Sequence, residues 1–150
     1  MPTNNMNPNR CFVPLIIVLA CILSIGCKRT ETTVVQQNGT NDMELTYENN
    51  NAKKVLTHQV KYYDKGKKFT DIYFNEKGER NGTCRSWFQN GKQQSELTYV
   101  DGKEDGKYTV WYEIGQVYIE GHYSDGKEVG TWKFFDPTGK EIRTIDYSTK

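Results

Sequence analysis

The chain has 150 residues, a length expected for a single domain. Only 35% of the residues are hydrophobic but 13% are aromatic, which favours many short strands carrying Tyr, Trp and Phe over a thick aliphatic core. The formal net charge is +1. Because Arg10 is the only charged residue among the first 27, the remainder carries 19 basic and 19 acidic side chains. Such a balanced surface argues against nucleic-acid binding, which requires a basic face.

Residues 1–26 are predicted to be a targeting segment. Arg10 precedes an apolar run, residues 12–25, and the chain becomes polar directly after Cys27. The run is shorter than the roughly 20 apolar residues of a membrane-spanning helix. A basic start followed by a short apolar centre is typical of a secretory signal peptide.

The end of the apolar run is more specific. LSIGC, residues 23–27, resembles the lipobox of bacterial lipoproteins, in which signal peptidase cuts before a Cys that carries acyl chains. The resemblance implies lipid attachment at Cys27 and a membrane-anchored protein of the cell envelope, at the outer membrane in a Gram-negative cell. VLAC, residues 18–21, also matches, so Cys21 is the alternative, but cleavage there would leave apolar ILSIG on the mature chain. Further alternatives are an uncleaved anchor and cleavage without lipid.

Residues 27–52 are predicted to form a flexible tether that begins with the lipidated Cys27. This segment is rich in Thr, Asn and Gln and nearly free of bulky side chains. It therefore cannot bury enough apolar surface to offset the entropy lost on ordering.

Residues 53–150 are predicted to form a domain of repeated β-hairpins. A shift of 24 residues carries Trp87-Phe88 onto Trp111-Tyr112. The same shift relates three further sets: Gly82, Gly106 and Gly130; Gly91, Gly115 and Gly139; Tyr99, Tyr123 and Tyr147. The units are about 53–81, which is degenerate, 82–105, 106–129 and 130–150. The glycine that opens each later unit is expected to allow a bulge or a close backbone approach.

Each unit reads as strand, tight turn, strand, tight turn. Asn90-Gly91, Asp101-Gly102 and Asp125-Gly126 predict two-residue hairpin turns, since these residues tolerate positive φ. Apolar and polar side chains alternate over residues 116–123, which is the period of a strand. We expect an all-β fold, an elongated antiparallel β-meander of about eight strands with a charged, exposed edge near residues 141–147.

Residues 82–140 resemble the MORN-repeat variant of bacterial proteins. Its units read as an aromatic pair, Asn-Gly-Lys, a Glu and then Tyr-x-Asp-Gly-Lys-x-x-Gly. Residues 53–81 match it weakly, and Ile114 stands where Asn is expected before Gly115. The resemblance implies MORN-like repeats. Bacterial proteins of this kind are often identified as YwqK-family antitoxins, so it also implies antitoxin-like binding to a toxin.

Few residues suggest catalysis or metal binding. His58 and His122 lie in different units, whereas a metal site needs more ligands at close spacing. Glu96 and Glu120 are repeat equivalents, and repetition explains their recurrence without an active site. We therefore expect no enzymatic activity, no metal and no cofactor.

Cys84 would be the only free thiol of a mature chain that begins at a lipidated Cys27. No intramolecular disulfide is then possible. Because its repeat equivalents are Tyr108 and Trp132, we expect Cys84 to be a small core residue rather than a reactive thiol.

Six aromatic residues are candidates for binding a partner. They are Trp87, Trp111, Phe135, Tyr99, Tyr123 and Tyr147. We expect them to share one face of the sheet and, where partly exposed, to anchor a protein partner, of which a toxin is one example. One alternative is that the rings stack on sugars of the cell wall or cell surface, and another is that they only pack the repeats together. The sequence thus predicts a membrane-anchored lipoprotein whose non-catalytic repeat domain mediates protein–protein interaction.

Overall fold

A computed structural model describes residues 17–19, 29–37, 40–50, 53–63 and 66–148. These residues form one antiparallel sheet of eleven strands in which neighbours in sequence are neighbours in space. The strands are β1 (Ile17–Leu19), β2 (Arg29–Gln37), β3 (Thr40–Asn50), β4 (Lys53–Tyr62), β5 (Lys68–Tyr73), β6 (Gly82–Trp87), β7 (Gln93–Val100), β8 (Lys103–Trp111), β9 (Val117–Ser124), β10 (Lys127–Phe135) and β11 (Glu141–Asp146). The predicted all-β meander of hairpins is confirmed.

The sheet has more strands than predicted because it includes the segment expected to be a flexible tether. Within residues 27–52, β2 and β3 pair along their whole length, with Thr32 opposite Thr46 and their hydroxyl oxygens 3.4 Å apart. Strand β2 has few bulky side chains, but it is rich in the β-branched residues Thr and Val. Such side chains favour extended backbone and can add strands to the edge of an existing sheet.

The predicted signal peptide lies largely outside the described residues, as do Cys27 and its alternative Cys21. Cleavage and lipidation therefore remain predictions. Strand β1 falls inside the predicted signal segment and pairs with β2, with Val18 opposite Thr33. Over the described ranges, no helix is long and apolar enough to cross a membrane.

The Asp-Gly turns have the predicted geometry. Asp101 and Gly102 adopt φ of 47° and 83°, and Asp125 and Gly126 adopt 51° and 77°. Positive φ at both central residues is what a type I′ hairpin turn requires. The Gly102 N–H donates to the carbonyl of Arg80, one hairpin earlier, at 2.9 Å. The Gly126 N–H donates to a carbonyl in the same way, so successive turns are tied together.

The Asn90-Gly91 turn differs from the prediction. Gly91 adopts positive φ but Asn90 does not. The Phe88 N–H donates to the Lys92 carbonyl at 2.9 Å, and the Asn90 side chain accepts from the Lys92 N–H. The turn is therefore wider than two residues, and it recurs over residues 112–116 and 136–140. Asn-Gly suits both turn types, so the dipeptide alone does not choose between them.

The glycines that open the later units lie at irregularities of the sheet, as predicted. Gly82, Gly106 and Gly130 have φ of 106°, 111° and 64°. The register of β8 against β7 shifts around Gly106, and that of β10 against β9 shifts around Gly130. These positions need a residue that tolerates positive φ, which explains the recurrence of glycine.

Alternation along the strands gives the sheet two different faces. The tyrosine face carries Tyr108, Tyr123, Trp132 and Tyr147, whose rings contact one another. The charged face carries Asp71, Arg85, Glu96, Glu120 and Lys133, which form a row across β5 to β10.

The sheet has little enclosed core. Val55, Val60 and Trp132 are its buried hydrophobic residues, and in the described part of the chain no side chain is completely shielded from solvent. Trp132 packs directly on Gly121, where the Cβ atom of any other residue would collide with the indole ring. Most side chains on both faces are half-buried, which leaves both faces accessible to a ligand.

Candidate functional site

The rings of the tyrosine face form a packed aromatic cluster. Tyr123 lies 5.0 Å from Trp132 between ring centroids and almost perpendicular to it, and Tyr147 lies 6.2 Å from Trp132. The indole N–H of Trp132 donates to the His122 carbonyl at 3.2 Å. Edge-to-face contacts of this kind stabilise the pairing of hairpins. Burial raises the pKa of the Tyr108 and Tyr123 phenols.

A groove of about 370 Å³ lies beside this cluster, at positions where the unit 82–105 differs in sequence from the later units. Cys84 occupies the position that Tyr108 and Trp132 occupy in later units, and Ser86 stands where Val110 and Phe134 stand. Small side chains at these positions leave the face unfilled. The prediction that Cys84 is a core residue is therefore wrong, since its side chain is half-buried and lines the groove. Burial raises the pKa of its thiol.

Hydroxyl groups and tyrosine rings line the groove. Thr70, Ser86 and Ser95 supply the hydroxyl groups, and Tyr99, Tyr108 and Tyr123 supply the rings. The Ser86 and Ser95 oxygens lie 2.7 Å apart. Thr70 Oγ1 is buried and has no hydrogen-bond partner among the described residues.

Arg80 and Glu104 also line the groove. Arg80 donates to the Tyr99 hydroxyl at 3.1 Å, and its guanidinium lies 5.2 Å from the centre of the Tyr99 ring. Burial raises the pKa of Tyr99 although Arg80 opposes the rise. Arg80 thus holds the Tyr99 ring in a defined position.

On the charged face, acidic and basic side chains neutralise one another in pairs. Arg85 donates to Glu96 at 2.7 Å, and Lys107 donates to Glu120 at 3.0 Å. Burial would raise the pKa of Glu96, but hydrogen bonds from Arg85 and Gln93 lower it below its usual range. Both glutamates singled out in the sequence are therefore ion-pair partners.

His58 has a role that the sequence did not reveal. Its ring stacks on Tyr73 with 4.3 Å between the ring centroids, and its Nε2 lies 2.6 Å from the buried carboxylate of Asp71. Detecting this contact would have required the register of β4 against β5. Within the described ranges, no group of three or more His, Cys, Asp and Glu side chains is placed to hold a metal ion.

The six predicted binding residues do not share one face. Tyr123 and Tyr147 belong to the aromatic cluster, and Tyr99 lines the groove on the same face. Trp87, Trp111 and Phe135, which we call the tryptophan row, end β6, β8 and β10 on the charged face. The contacts of Lys68 show that Trp87 lies on this face. The Lys68 ammonium binds Asp71, which belongs to the charged face, and lies 5.7 Å from the centre of the Trp87 ring. The expectation of one shared face is therefore wrong, because bulges and turns set the parity of paired strands.

Comparisons with known proteins do not assign this chain to a family. A scan against models of protein families, a search of the curated proteins and a search of the solved structures found no match for this chain. The likeness to MORN repeats and YwqK-family antitoxins therefore remains a prediction from the sequence.

Proposed function

We propose that the protein is a membrane-anchored lipoprotein whose repeat sheet binds a protein partner through the tryptophan row, without catalysis or a cofactor. The observation that carries the proposal is the alignment of Trp87, Trp111 and Phe135 at the same end of alternate strands. Alternate strands lie about 10 Å apart, so the row extends over about 20 Å. Tryptophan is enriched among the few residues that dominate binding at protein interfaces.

The surroundings of the row suit an interface. The three rings are half-buried, so their backbones are held while part of each ring remains accessible. Ile114, in the turn after Trp111, is 60% exposed. Polar residues surround this apolar surface: Asn90 and Lys92 bond the carbonyls of Glu113 and Ile114 in the next turn. An apolar centre with a polar rim is the usual composition of an interface core and its surroundings.

The predicted lipid at Cys27 supports a location in the cell envelope. Several acyl chains would hold the sheet at a membrane surface, whereas a single chain binds only marginally. The partner would then be another envelope protein or an incoming toxin. The antitoxin version follows from the sequence resemblance, and the tryptophan row would be its contact surface.

The anchor is tested by the intact mass and membrane partitioning of the mature protein, with Cys27→Ser beside the wild type. We expect a diacylated or triacylated N-terminus at Cys27 in the membrane fraction, and loss of both acylation and partitioning in the variant. A Cys21→Ser variant should still be acylated. An unmodified wild-type chain in the soluble fraction would contradict the lipoprotein assignment.

The binding surface is tested by crosslinking in intact cells followed by identification of partners. We expect one specific partner for the wild type and about a tenfold or greater loss of recovery for Ile114→Glu and for Trp111→Ala. Ile114 is so exposed that its change should leave folding intact. The control is Val100→Ala, which alters an exposed apolar residue at the opposite end of the strands. Equal recovery with all three variants would exclude the tryptophan row.

A further inference from the structure

We propose that the groove on the tyrosine face binds one neutral sugar ring, a ligand distinct from the protein partner of the tryptophan row. The groove exists because one unit lacks the ring that its neighbours have. In later units Tyr108 contacts Tyr123 at 5.7 Å, and Trp132 contacts Tyr147 at 6.2 Å. The equivalent pair in the unit 82–105 is Cys84 and Tyr99, in which Cys84 has no ring to offer.

The vacant position corresponds to the ring that Tyr108 and Trp132 supply in the later units. Tyr99 and Tyr108 both line it, and Tyr99 is held by Arg80. Preformed concave sites with aromatic walls and a few placed polar groups are typical of small-molecule binding. The C–H face of a sugar can pack against a tyrosine ring, while its hydroxyl groups remain free to make hydrogen bonds.

The polar groups of the groove select a ligand with many hydroxyl groups. Thr70 Oγ1 is buried without a partner in the structure's described residues, so a ligand that bonds it would relieve an unfavourable state. Ser86 and Ser95 bond each other, and Ser86 also donates to Gln94 at 3.3 Å. A hydroxyl oxygen has two acceptor positions, so each serine can still accept a hydrogen bond from a ligand. An aliphatic ligand would leave these groups unsatisfied.

The charges favour a neutral ligand. Arg80 and Glu104, which have opposite charges, both line the groove. Arg85 also borders it, but the Arg85 guanidinium is bound by Glu96 at 2.7 Å. Among the described residues at the groove, the charges of Arg80 and Arg85 are therefore balanced by those of Glu104 and Glu96, which gives a phosphate or another anion little advantage.

The test uses the full-length chain in a detergent without a sugar head group. A printed array of neutral and charged glycans is probed first, followed by calorimetric titration with cellobiose, maltose and N,N′-diacetylchitobiose. We expect saturable binding of at least one neutral saccharide. Cys84→Tyr should abolish it, because the variant restores the ring found at Tyr108.

Two further variants keep the test decisive if Cys84→Tyr does not fold. Thr70→Val removes the unpartnered hydroxyl group at nearly constant volume, and we expect about tenfold weaker binding while the stability of the free protein stays equal or rises. Thr83→Val, the matched change on the charged face, should leave binding unchanged. The proposal is overturned if no neutral saccharide binds, if Thr70→Val binds as the wild type does, if charged glycans are preferred, or if N-acetyl-tyrosinamide binds in place of sugars. None of these results bears on the tryptophan row, which Ile114→Glu tests separately.

Discussion

Asp71 is a buried carboxylate whose ionisation depends on two neighbours. Its exposed fraction is 6%, and its oxygens accept hydrogen bonds from His58 at 2.6 Å and Lys68 at 3.0 Å. Burial alone would raise the pKa of Asp71, but the hydrogen bonds from His58 and Lys68 outweigh it and lower the pKa. A buried charge with such partners is stable only while the partners remain.

The lowered pKa of Asp71 predicts how stability depends on pH. A carboxyl group whose folded-state pKa is depressed stabilises the fold above its unfolded pKa of about 3.9, and this stability is lost as the pH falls through the folded-state value. Asp71→Asn should therefore cost about 1–3 kcal/mol at pH 7, and progressively less below about pH 4. Urea unfolding between pH 2 and pH 7 measures the difference, with Glu113→Gln as an exposed control. A difference that stays constant across this range would contradict the prediction.

At the scale of elements, the wide turns at one end of the sheet are linked by side chains. The Tyr63 hydroxyl donates to the Trp87 carbonyl at 2.9 Å, and the Tyr112 hydroxyl donates to the Phe135 carbonyl at the same distance. Phe88 occupies the equivalent position between them and has no hydroxyl to donate. The contact is therefore made at two of three equivalent places.

Phe88→Tyr should complete the set by donating a hydrogen bond to the Trp111 carbonyl. We expect a gain of about 0.5–1.5 kcal/mol in the free energy of unfolding, whereas Tyr112→Phe should lower the free energy of unfolding. Chemical denaturation measures both, and Tyr118→Phe, at an exposed position, should change little. If Phe88→Tyr is neutral while Tyr112→Phe is destabilising, the turns are not equivalent in the way that the repeat implies.

At the scale of the whole molecule, stability is distributed along the sheet. Each strand pairs with the strands next to it in sequence. Among the residues that the structure describes, the buried hydrophobic ones lie in two separate places, in β4 and in β10. In such proteins each unit contributes its own stability and an interface with its neighbours. We therefore expect that strands can be removed from an end of the sheet without unfolding the strands in the middle.

Removal of residues 130–150 should leave the remaining strands folded but less stable. The deletion takes Trp132 from the aromatic cluster and exposes Tyr108 and Tyr123, so the urea midpoint should fall, while the strand signal in circular dichroism decreases only in proportion to length. Removal of residues 141–150 alone should have a smaller effect, because Trp132 stays. Complete loss of structure in either deletion would indicate one indivisible cooperative unit.

The sequence by itself determined the features that depend on local chemistry. The shift of 24 residues, the strand period, the Asp101-Gly102 turn and the bulge at Gly106 all follow from residue types over a few positions, and the structure confirms them. Turn geometry and side-chain alternation are local, so a single strand or hairpin is enough to reveal them.

Only the tertiary structure decided which side chains meet. It separated the tryptophan row from Tyr99, Tyr123 and Tyr147, brought His58 to Asp71, opened the groove over Cys84 and added β2 and β3 to the sheet. The first two depend on the register between strands, whereas the groove and the added strands depend on which strands lie side by side. Side chains alternate with a period of two, so one bulged residue transfers every later side chain to the opposite face, and no count along a single strand can foresee that.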